Sequence, residues 1–238
     1  MTALEWRDRA ALGGALLVAA ACVRLGVWQL DRLRQRRERN AQVLARLSQP
    51  PLPVTRALSA DSARDRRLSA QGVYDYAHER LWYGRSYEGV PGVDLVTPLR
   101  LPDGVAVFVD RGWAPSPDAY HVNQGAYREG DSAEVSGIGM VAPRGRGDVD
   151  PARLRDAFPY PLLPFVLQEL PTSTDLHRPP QPALLPWPAP ELSNGPHLSY
   201  AIQWFSFAVI IVVGSFALAR KWGIEEKSRR GGTNNALS

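Results

Sequence analysis

The sequence is poor in cysteine, since Cys22 is the only one among its 238 residues. Cys22 lies inside a long apolar run. The rest of the chain can therefore form no disulfide, no thiolate nucleophile and no cysteine-based metal site. This cysteine usage is compatible with an oxidising compartment.

Lysine is scarce as well, because Lys221 and Lys227 are the only two and every other basic residue except histidine is arginine. Acidic residues are interleaved with the arginines, the formal net charge is only +4, and no long basic stripe forms. The charge pattern therefore argues against nucleic acid as a partner.

Recognisable catalytic motifs are also missing from the sequence. No pair of histidines has metal-ligand spacing, no Ser-His-Asp set stands out, and no glycine-rich phosphate loop follows a strand. We therefore expect the protein not to be an enzyme.

Two long apolar runs predict membrane spans. The first covers residues 10–30, and at ~1.5 Å per residue it is roughly 31 Å long, about the thickness of the hydrocarbon core. The second, residues 198–219, contains no charged residue. A cleaved signal peptide is the alternative for the first run, but we favour a retained anchor. Because this run begins too early for a mitochondrial transit peptide, we expect a bacterial plasma membrane.

The basic residues beside the two spans point to opposite orientations. Arginine and lysine cluster after the second span, which predicts a cytoplasmic C-terminus. Five arginines between positions 32 and 39 follow the first span, however, and only Arg7 and Arg9 precede it. Two spans place both termini on one side. We follow the second span and expect both termini in the cytoplasm, with the arginines at 32–39 near lipid headgroups.

The region between the spans is predicted to be rich in β-structure. Five short runs contain many Val, Tyr, Trp and Phe residues and are separated by turn signals, which favours an antiparallel sheet or a small barrel. A short helix at 150–158 and a last strand at 164–170 follow. Seven of the eighteen residues at 179–196 are proline, which predicts an extended strap. The five runs are LSAQGVYDY, RLWYGRSY, VDLVTPL, VAVFVDRGW and AEVSGIGMV.

The predicted fold class is a membrane protein in which two transmembrane helices flank an extracytoplasmic, mainly antiparallel β domain of the α+β type. Its segments are a cytoplasmic N-terminus (1–9), a transmembrane helix (10–30), a helical extension (31–48), the β-rich domain (49–178), the proline-rich strap (179–196), a second transmembrane helix (197–219) and a cytoplasmic tail (220–238).

The motif VDRGW places Asp110 beside Arg111 and Trp113 at the end of a strand. Two interpretations are open. The favoured one is structural, a salt bridge and a stacked tryptophan that hold a turn. The other is a surface that binds a partner protein.

The start of the second span is more polar than a simple anchor requires. On a helix, His197, Tyr200, Trp204 and Phe207 share one narrow arc, with Ser199, Gln203 and Ser206 beside it. The opposite half is apolar and is predicted to face lipid (Leu198, Ala201, Ile202 and Phe205). The polar face either packs against the first span or carries His197 as an axial ligand to haem iron.

Three motifs in the same order resemble the Surfeit locus protein 1 family of cytochrome c oxidase assembly factors. LGVWQLDR (25–32) closes the first span. VPGVDLVTPL with DGVAVFVDRGWAP lies in the soluble domain, and NGPHLSYAIQWFSFA (194–208) begins the second span. The resemblance covers about residues 10–222.

The resemblance implies a protein that binds haem a and assists its insertion into subunit I of a haem-copper oxidase, with His197 as the iron ligand. Haem a synthase and membrane lipid are further expected partners. A non-haem membrane chaperone that stabilises an oxidase assembly intermediate is the alternative. The other predicted haem contacts are Trp28, Tyr200 and Trp204 on the macrocycle and Arg24 and Arg32 on the propionates. Either Gln29 or a backbone carbonyl of the strap is expected to bind the second nitrogen of His197.

The conflict between the two charge clusters makes the topology testable. If both termini are cytoplasmic, a reporter active only outside the cytoplasm should be active when fused after residue 120 and inactive when fused after residue 230. The reverse pattern would show that the arginines at 32–39 set the orientation.

Overall fold

The structure is a computed structural model that describes residues 6–141, 149–171 and 184–234. The chain divides into two compact units, residues 1–41 with 192–238, and residues 42–191. Parts of four predicted segments lie outside the described residues, namely the N-terminal segment, the β-rich domain, the strap and the tail.

The first unit is built from two long helices. Helix α1 (Trp6–Leu47) contains no proline and ends just before Pro50 and Pro51, which cannot continue a helix. Helix α4 (His197–Asn234) begins immediately after Pro196. Both are long and apolar enough to cross a membrane. Large apolar side chains remain exposed on them, among them Leu17 at 74% and Ile210 at 65%, as expected of helices that face lipid.

The two helices pack along a seam of small side chains. On α1 the buried residues Ala19, Cys22, Gly26 and Leu33 are separated by three, four and seven residues, the spacing of a coiled-coil stripe. A Cβ at Gly26 would lie only 2.7 Å from the ring of Phe205 on α4. Small residues let helix backbones approach closely in a membrane. The seam therefore brings α1 and α4 together as an antiparallel pair.

The second unit is a mixed, mostly antiparallel sheet of seven strands in the order β1-β2-β6-β7-β5-β4-β3. Among the described strands, the pairs β1–β2 and β5–β7 are parallel and the other pairs are antiparallel. Two α-helices of one turn each, α2 (Ala60–Ala63) and α3 (Pro151–Leu154), lie between strands. The strands are β1 (Leu52–Pro53), β2 (Arg67–Tyr74), β3 (Arg80–Tyr87), β4 (Val90–Arg100), β5 (Ala106–Pro115), β6 (Ser132–Met140) and β7 (Leu162–Glu169).

Strand β4 closes this sheet into a ring. Its first half pairs with β3, and its last residues pair with β2 at Val73↔Arg100 and Tyr74↔Leu99. Strands β2, β6, β7, β5 and β4 thereby form a closed circuit, as the sequence alternative of a small barrel requires. The predicted fold class is confirmed in that two long apolar helices flank, along the chain, a mostly antiparallel β domain.

Strand β5 is buried on both faces, which explains its nearly continuous apolar sequence. Val107 and Val109 join the core cluster that also contains Phe165 and Leu167 of β7. Phe108 points the other way, into a second cluster with Trp82 and Phe158. The two clusters hold β5 between them and so fix the position of the residues at its end.

A bulge at Arg111 interrupts the pairing of β4 with β5, because Leu95 pairs with Gly112 while Val96 pairs with Asp110. The Arg111 guanidinium donates hydrogen bonds to Glu79 Oε2 at 2.8 Å, to Thr97 Oγ1 at 2.9 Å and to the Tyr127 carbonyl at 2.8 Å. The side chains of Arg111 and Glu79 are 1% and 3% exposed. Arg111 is thus the centre of a buried polar network.

Removal of Arg111 should destabilise this unit. Arg111→Ala leaves the Glu79 carboxylate buried without its cation, so we expect the free energy of unfolding to fall by about 3–5 kcal/mol. Denaturant unfolding of the purified full-length protein, followed by near-ultraviolet circular dichroism, would measure the loss.

Two variants control this experiment. Arg67→Ala removes an exposed arginine from β2 and should be nearly neutral. Adding Glu79→Gln to Arg111→Ala removes the uncompensated charge and should recover part of the stability. A fully stable Arg111→Ala protein that fails to support oxidase assembly would instead point to a partner surface.

Candidate functional site

His197 is the first residue of α4, and its imidazole contacts α1. Its Nδ1 atom lies 2.9 Å from Oε1 of Gln29, and both side chains are partly buried. The LGVWQLDR motif supplies the glutamine, and the third motif, NGPHLSYAIQWFSFA, supplies the histidine. The structure therefore brings together two residues that are 168 positions apart in the sequence.

The contact assigns a tautomer to the histidine. With the Gln29 amide oxygen toward the ring, Nδ1 donates its hydrogen to Gln29, because an amide oxygen can only accept. In the neutral imidazole this leaves the lone pair on Nε2, which can accept a hydrogen bond or ligate a metal. Metal-ligating histidines in proteins almost always have their other ring N–H fixed by such a partner.

The chain just before His197 is fixed to α1 at a second place. Arg36 donates a hydrogen bond to the Ser193 carbonyl at 3.0 Å. The Asn40 amide donates to the carbonyls of Leu192 and Ser193 at 3.2 and 3.1 Å. Neither Arg36 nor Asn40 was predicted as a site residue. The available signal was spacing, because Asn40 follows Gly26 and Leu33 at intervals of seven and so lies on the seam.

The other predicted haem contacts lie on the same two helices. Trp28 and Tyr200 are 45% and 46% exposed, and Trp204 is partly buried with its ring 6.0 Å from that of Phe207. The Arg32 guanidinium lies 6.0 Å from the centre of the Trp28 ring. Arg24 is exposed, and among the described residues its side chain makes no hydrogen bond or ion pair. The structure thus pairs His197 with Gln29 and Arg32 with Trp28.

The predicted lipid-facing half of α4 is wrong for two residues. Ala201 is only 1% exposed, and Phe205 packs against Gly26 of α1. Both residues lie at the seam with α1, where the small residues Ala201 and Gly26 allow close approach. Leu198 and Ile202 do remain exposed, and so does the polar side chain of Gln203.

The three residues predicted from VDRGW are all buried, with Asp110 at 1%, Arg111 at 3% and Trp113 at 4% exposure. The ion pair of Arg111 is made with Glu79 and not with Asp110, whose Oδ1 accepts instead from the backbone N–H of Gly112. Trp113 packs against Tyr87, with ring centres 5.7 Å apart. This burial favours the structural interpretation, and a partner surface made of these residues stays a prediction.

Comparison with known proteins gives consistent matches. A model of the SURF1 family matches residues 16–209 of this chain. An uncharacterised SURF1-like protein of Mycobacterium bovis is 27% identical over 204 residues, which cover 80% of this chain and 74% of that protein. A SURF1-like protein of Monosiga brevicollis is 27% identical over 219 residues, 84% of each chain. Surfeit locus protein 1 of Gallus gallus is 27% identical over 119 residues, 43% of this chain and 38% of that one.

The His197–Gln29 contact predicts a fixed histidine tautomer. In nitrogen-15 NMR spectra of histidine-labelled protein, the His197 ring should be protonated at Nδ1 in the parent and a mixture of tautomers in Gln29→Leu. Gln203→Leu changes an exposed polar residue of α4 and serves as the control, with the tautomer of the parent. A Gln29→Leu ring still protonated only at Nδ1 would contradict the assigned bond.

Proposed function

Because this chain belongs to the SURF1 family, we propose that it binds haem a and assists the insertion of haem a into subunit I of a haem-copper oxidase. The family is associated with cytochrome oxidase assembly. The binding of haem a and its insertion into subunit I go beyond this family association and are the specific part of the proposal. The observation that carries this part is the hydrogen bond between His197 Nδ1 and Gln29, which leaves Nε2 as a nitrogen able to ligate iron.

The residues around His197 fit a haem in three respects. The imidazole is oriented by a second residue, as is usual for a ligating histidine. Trp28 and Tyr200 present exposed aromatic rings to the apolar macrocycle. Arg24 and Arg32 carry the positive charge that propionates need, and both are exposed. Bound haem a would supply an iron whose redox chemistry serves the oxidase, while this chain only holds and orients the group.

The apolar surface of the helix pair supports delivery within the membrane. Haem a carries a long apolar tail and is poorly soluble in water, so a carrier site should open toward lipid. Large apolar side chains of α1 and α4 remain exposed along both helices. We further propose that the helices lie in a bacterial plasma membrane, with both termini cytoplasmic and the β unit outside. Haem a synthase would be the donor of the haem. The proposed role is that of a carrier and not of a catalyst.

One observation favours the alternative of a non-haem chaperone. Gln203 lies within the apolar part of α4, yet its side chain is exposed on the helix surface. A polar amide in lipid is costly and usually marks contact with another helix or a functional group. This face of α4 would then receive a transmembrane helix of subunit I.

Substitution of His197 separates the two functions. His197→Ala should reach normal membrane levels, because the seam residues of α4 remain, but it should lose the haem spectrum when purified from cells that make haem a. The oxidase of these cells should be scarce or short of haem a. His197→Met should retain weaker binding, since a thioether can also ligate haem iron.

Gln29→Leu tests the orienting bond, because loss of such a partner typically weakens metal binding by about 10–100-fold. Gln203→Leu should bind haem normally. If His197→Ala binds haem a as tightly as the parent, the ligand assignment is wrong. If it loses haem and oxidase assembly is unaffected, the chaperone function is the better description.

A further inference from the structure

A segment of the proline-rich strap pairs with the end of β5. Residues 184–188, here called the strap segment, form an antiparallel bridge with β5 at Leu185 and Trp113. Leu185 and Trp113 exchange two backbone hydrogen bonds, each 2.9 Å long. A Cβ at Gly112 would lie 2.6 Å from the Leu185 carbonyl oxygen. The missing side chain at position 112 is therefore what allows the strap segment to lie directly on β5.

Side chains of the neighbouring strands hold the same segment. The Gln168 amide of β7 donates hydrogen bonds to the carbonyls of Trp187 and Pro188, both at 3.3 Å. The Arg85 guanidinium of β3 lies between two indole rings, 4.6 Å from the centre of Trp82 and 4.6 Å from that of Trp187. The strap segment is thus fastened by three strands of the sheet.

Two buried carboxylic acids lie beneath this segment. Asp110 of β5 pairs in register with Gln168, one of the residues that hold the strap segment. Asp94 of β4 pairs in register with both Trp82 and Trp113. The side chain of Asp94 has no exposed surface, and Asp110 is 1% exposed.

The two acids share a single close cation. Arg85 donates its Nε hydrogen to Asp94 Oδ2. Asp110 Oδ1 accepts from the backbone N–H of Gly112 at 3.2 Å. Within the described part of the chain, Asp94 Oδ1 and Asp110 Oδ2 have no hydrogen-bond partner. One guanidinium, itself 26% exposed, is therefore bonded to Asp94 and lowers the pKa of Asp110, and the two carboxyl groups have almost no exposed surface.

A proton suits this cluster better than a metal ion does. The indole N–H groups of Trp82, Trp113 and Trp187 are buried and lack partners among the described residues. Trp187 lies close enough to Asp94 to lower its pKa, although no bond of ordinary geometry joins them. Hard cations require several oxygen ligands, and N–H donors repel them. The described residues contain no group of three or more His, Cys, Asp or Glu side chains arranged to hold a metal.

The surroundings of Asp110 raise its pKa overall, although they contain both raising and lowering effects. Burial raises the pKa of Asp110 well above its ordinary value, and the negative charge of Asp94 raises it further. Arg85 on β3 and the Gly112 N–H lower it, and Glu169 on β7 raises it. Burial likewise raises the pKa of Asp94, against the lowering effect of Arg85.

We propose that Asp110 is a neutral carboxylic acid while the strap segment is bound, and that its ionisation releases this segment, so that the cluster is a proton-controlled latch. Ionised Asp110 would place a second negative charge beside Asp94 without a second cation. Removal of the strap segment admits water to both carboxylates and relieves this cost. The closed state therefore binds one more proton than the open state.

The sign of the pH dependence follows from this difference. With the strap released, Asp110 titrates near the ordinary aspartate pKa of about 3.9. The closed form is favoured fully below that pH, and its advantage is lost as pH rises through the raised pKa of bound Asp110. Closure is therefore stabilised by acid.

Hydrogen exchange of the full-length protein in detergent micelles tests the latch. The amides of Leu185 and Trp113 should be protected at acidic pH. Their protection factors, in which the intrinsic pH dependence of exchange is divided out, should fall with rising pH. The fall should be about tenfold for each pH unit between the ordinary aspartate pKa of about 3.9 and the raised pKa of Asp110. Asp110→Asn keeps an acceptor for Gly112 and cannot ionise, so its protection should stay high at alkaline pH.

Asp131→Asn removes an exposed aspartate of the same unit and should behave like the parent. Infrared spectroscopy gives a readout that does not depend on the strap. The parent should show the band of a protonated carboxyl group near neutral pH, and Asp110→Asn should lack it. Protection that is independent of pH in the parent, or that falls equally in Asp110→Asn, would overturn the proposal, as would absence of the infrared band.

Discussion

The close approach of α1 and α4 at Gly26 is the constraint on which the candidate site depends. Only a glycine leaves room for the Phe205 ring at that distance. With the helices held this close, the glutamine one turn further along α1 can reach the first residue of α4. A side chain at position 26 would require the Phe205 ring to move, and with it the packing beside the contact between Gln29 and His197.

A comparable dependence exists in the β unit, where one bulge determines two separate polar clusters. An ideal strand would place Asp110 and Arg111 on opposite faces in any case, but the extra residue also shifts Gly112 into register with Leu95. Gly112 has φ +128°, a conformation that side chains other than glycine rarely adopt. Arg111 then belongs to the interior network with Glu79, and Asp110 to the cluster beneath the strap segment. Arg111 and Gly112 thus have separate roles at the bulge. Arg111 joins the buried polar network, and Gly112 lets the strap segment approach β5.

The sequence was sufficient for the strands and the two long helices, because their apolar patterns are strong and local. It was insufficient for the polar contacts, which depend on register. The bulge at Arg111 leaves no signature in the apolar pattern, so the pairing of Arg111 with Glu79 across 32 positions could not be read from VDRGW. Arg85 and Trp187 were overlooked for the same reason, since they meet only after folding. The sequence offers both Gln29 and a backbone carbonyl of the strap as partners for His197, and the bond to Gln29 is visible only in the fold.

The anchoring of residues 192–197 to α1 has a consequence for chain length. The two anchor points on α1, Gln29 and Asn40, are eleven residues apart, which is roughly 16 Å along a helix. The five steps from Leu192 to His197 can cover about 17 Å only when the chain is extended. The length of this connection must therefore stay matched to the spacing of Gln29 and Asn40 on α1, within the reach of their side chains. At Gly195 the sequence is constrained as well, because φ is +68° there.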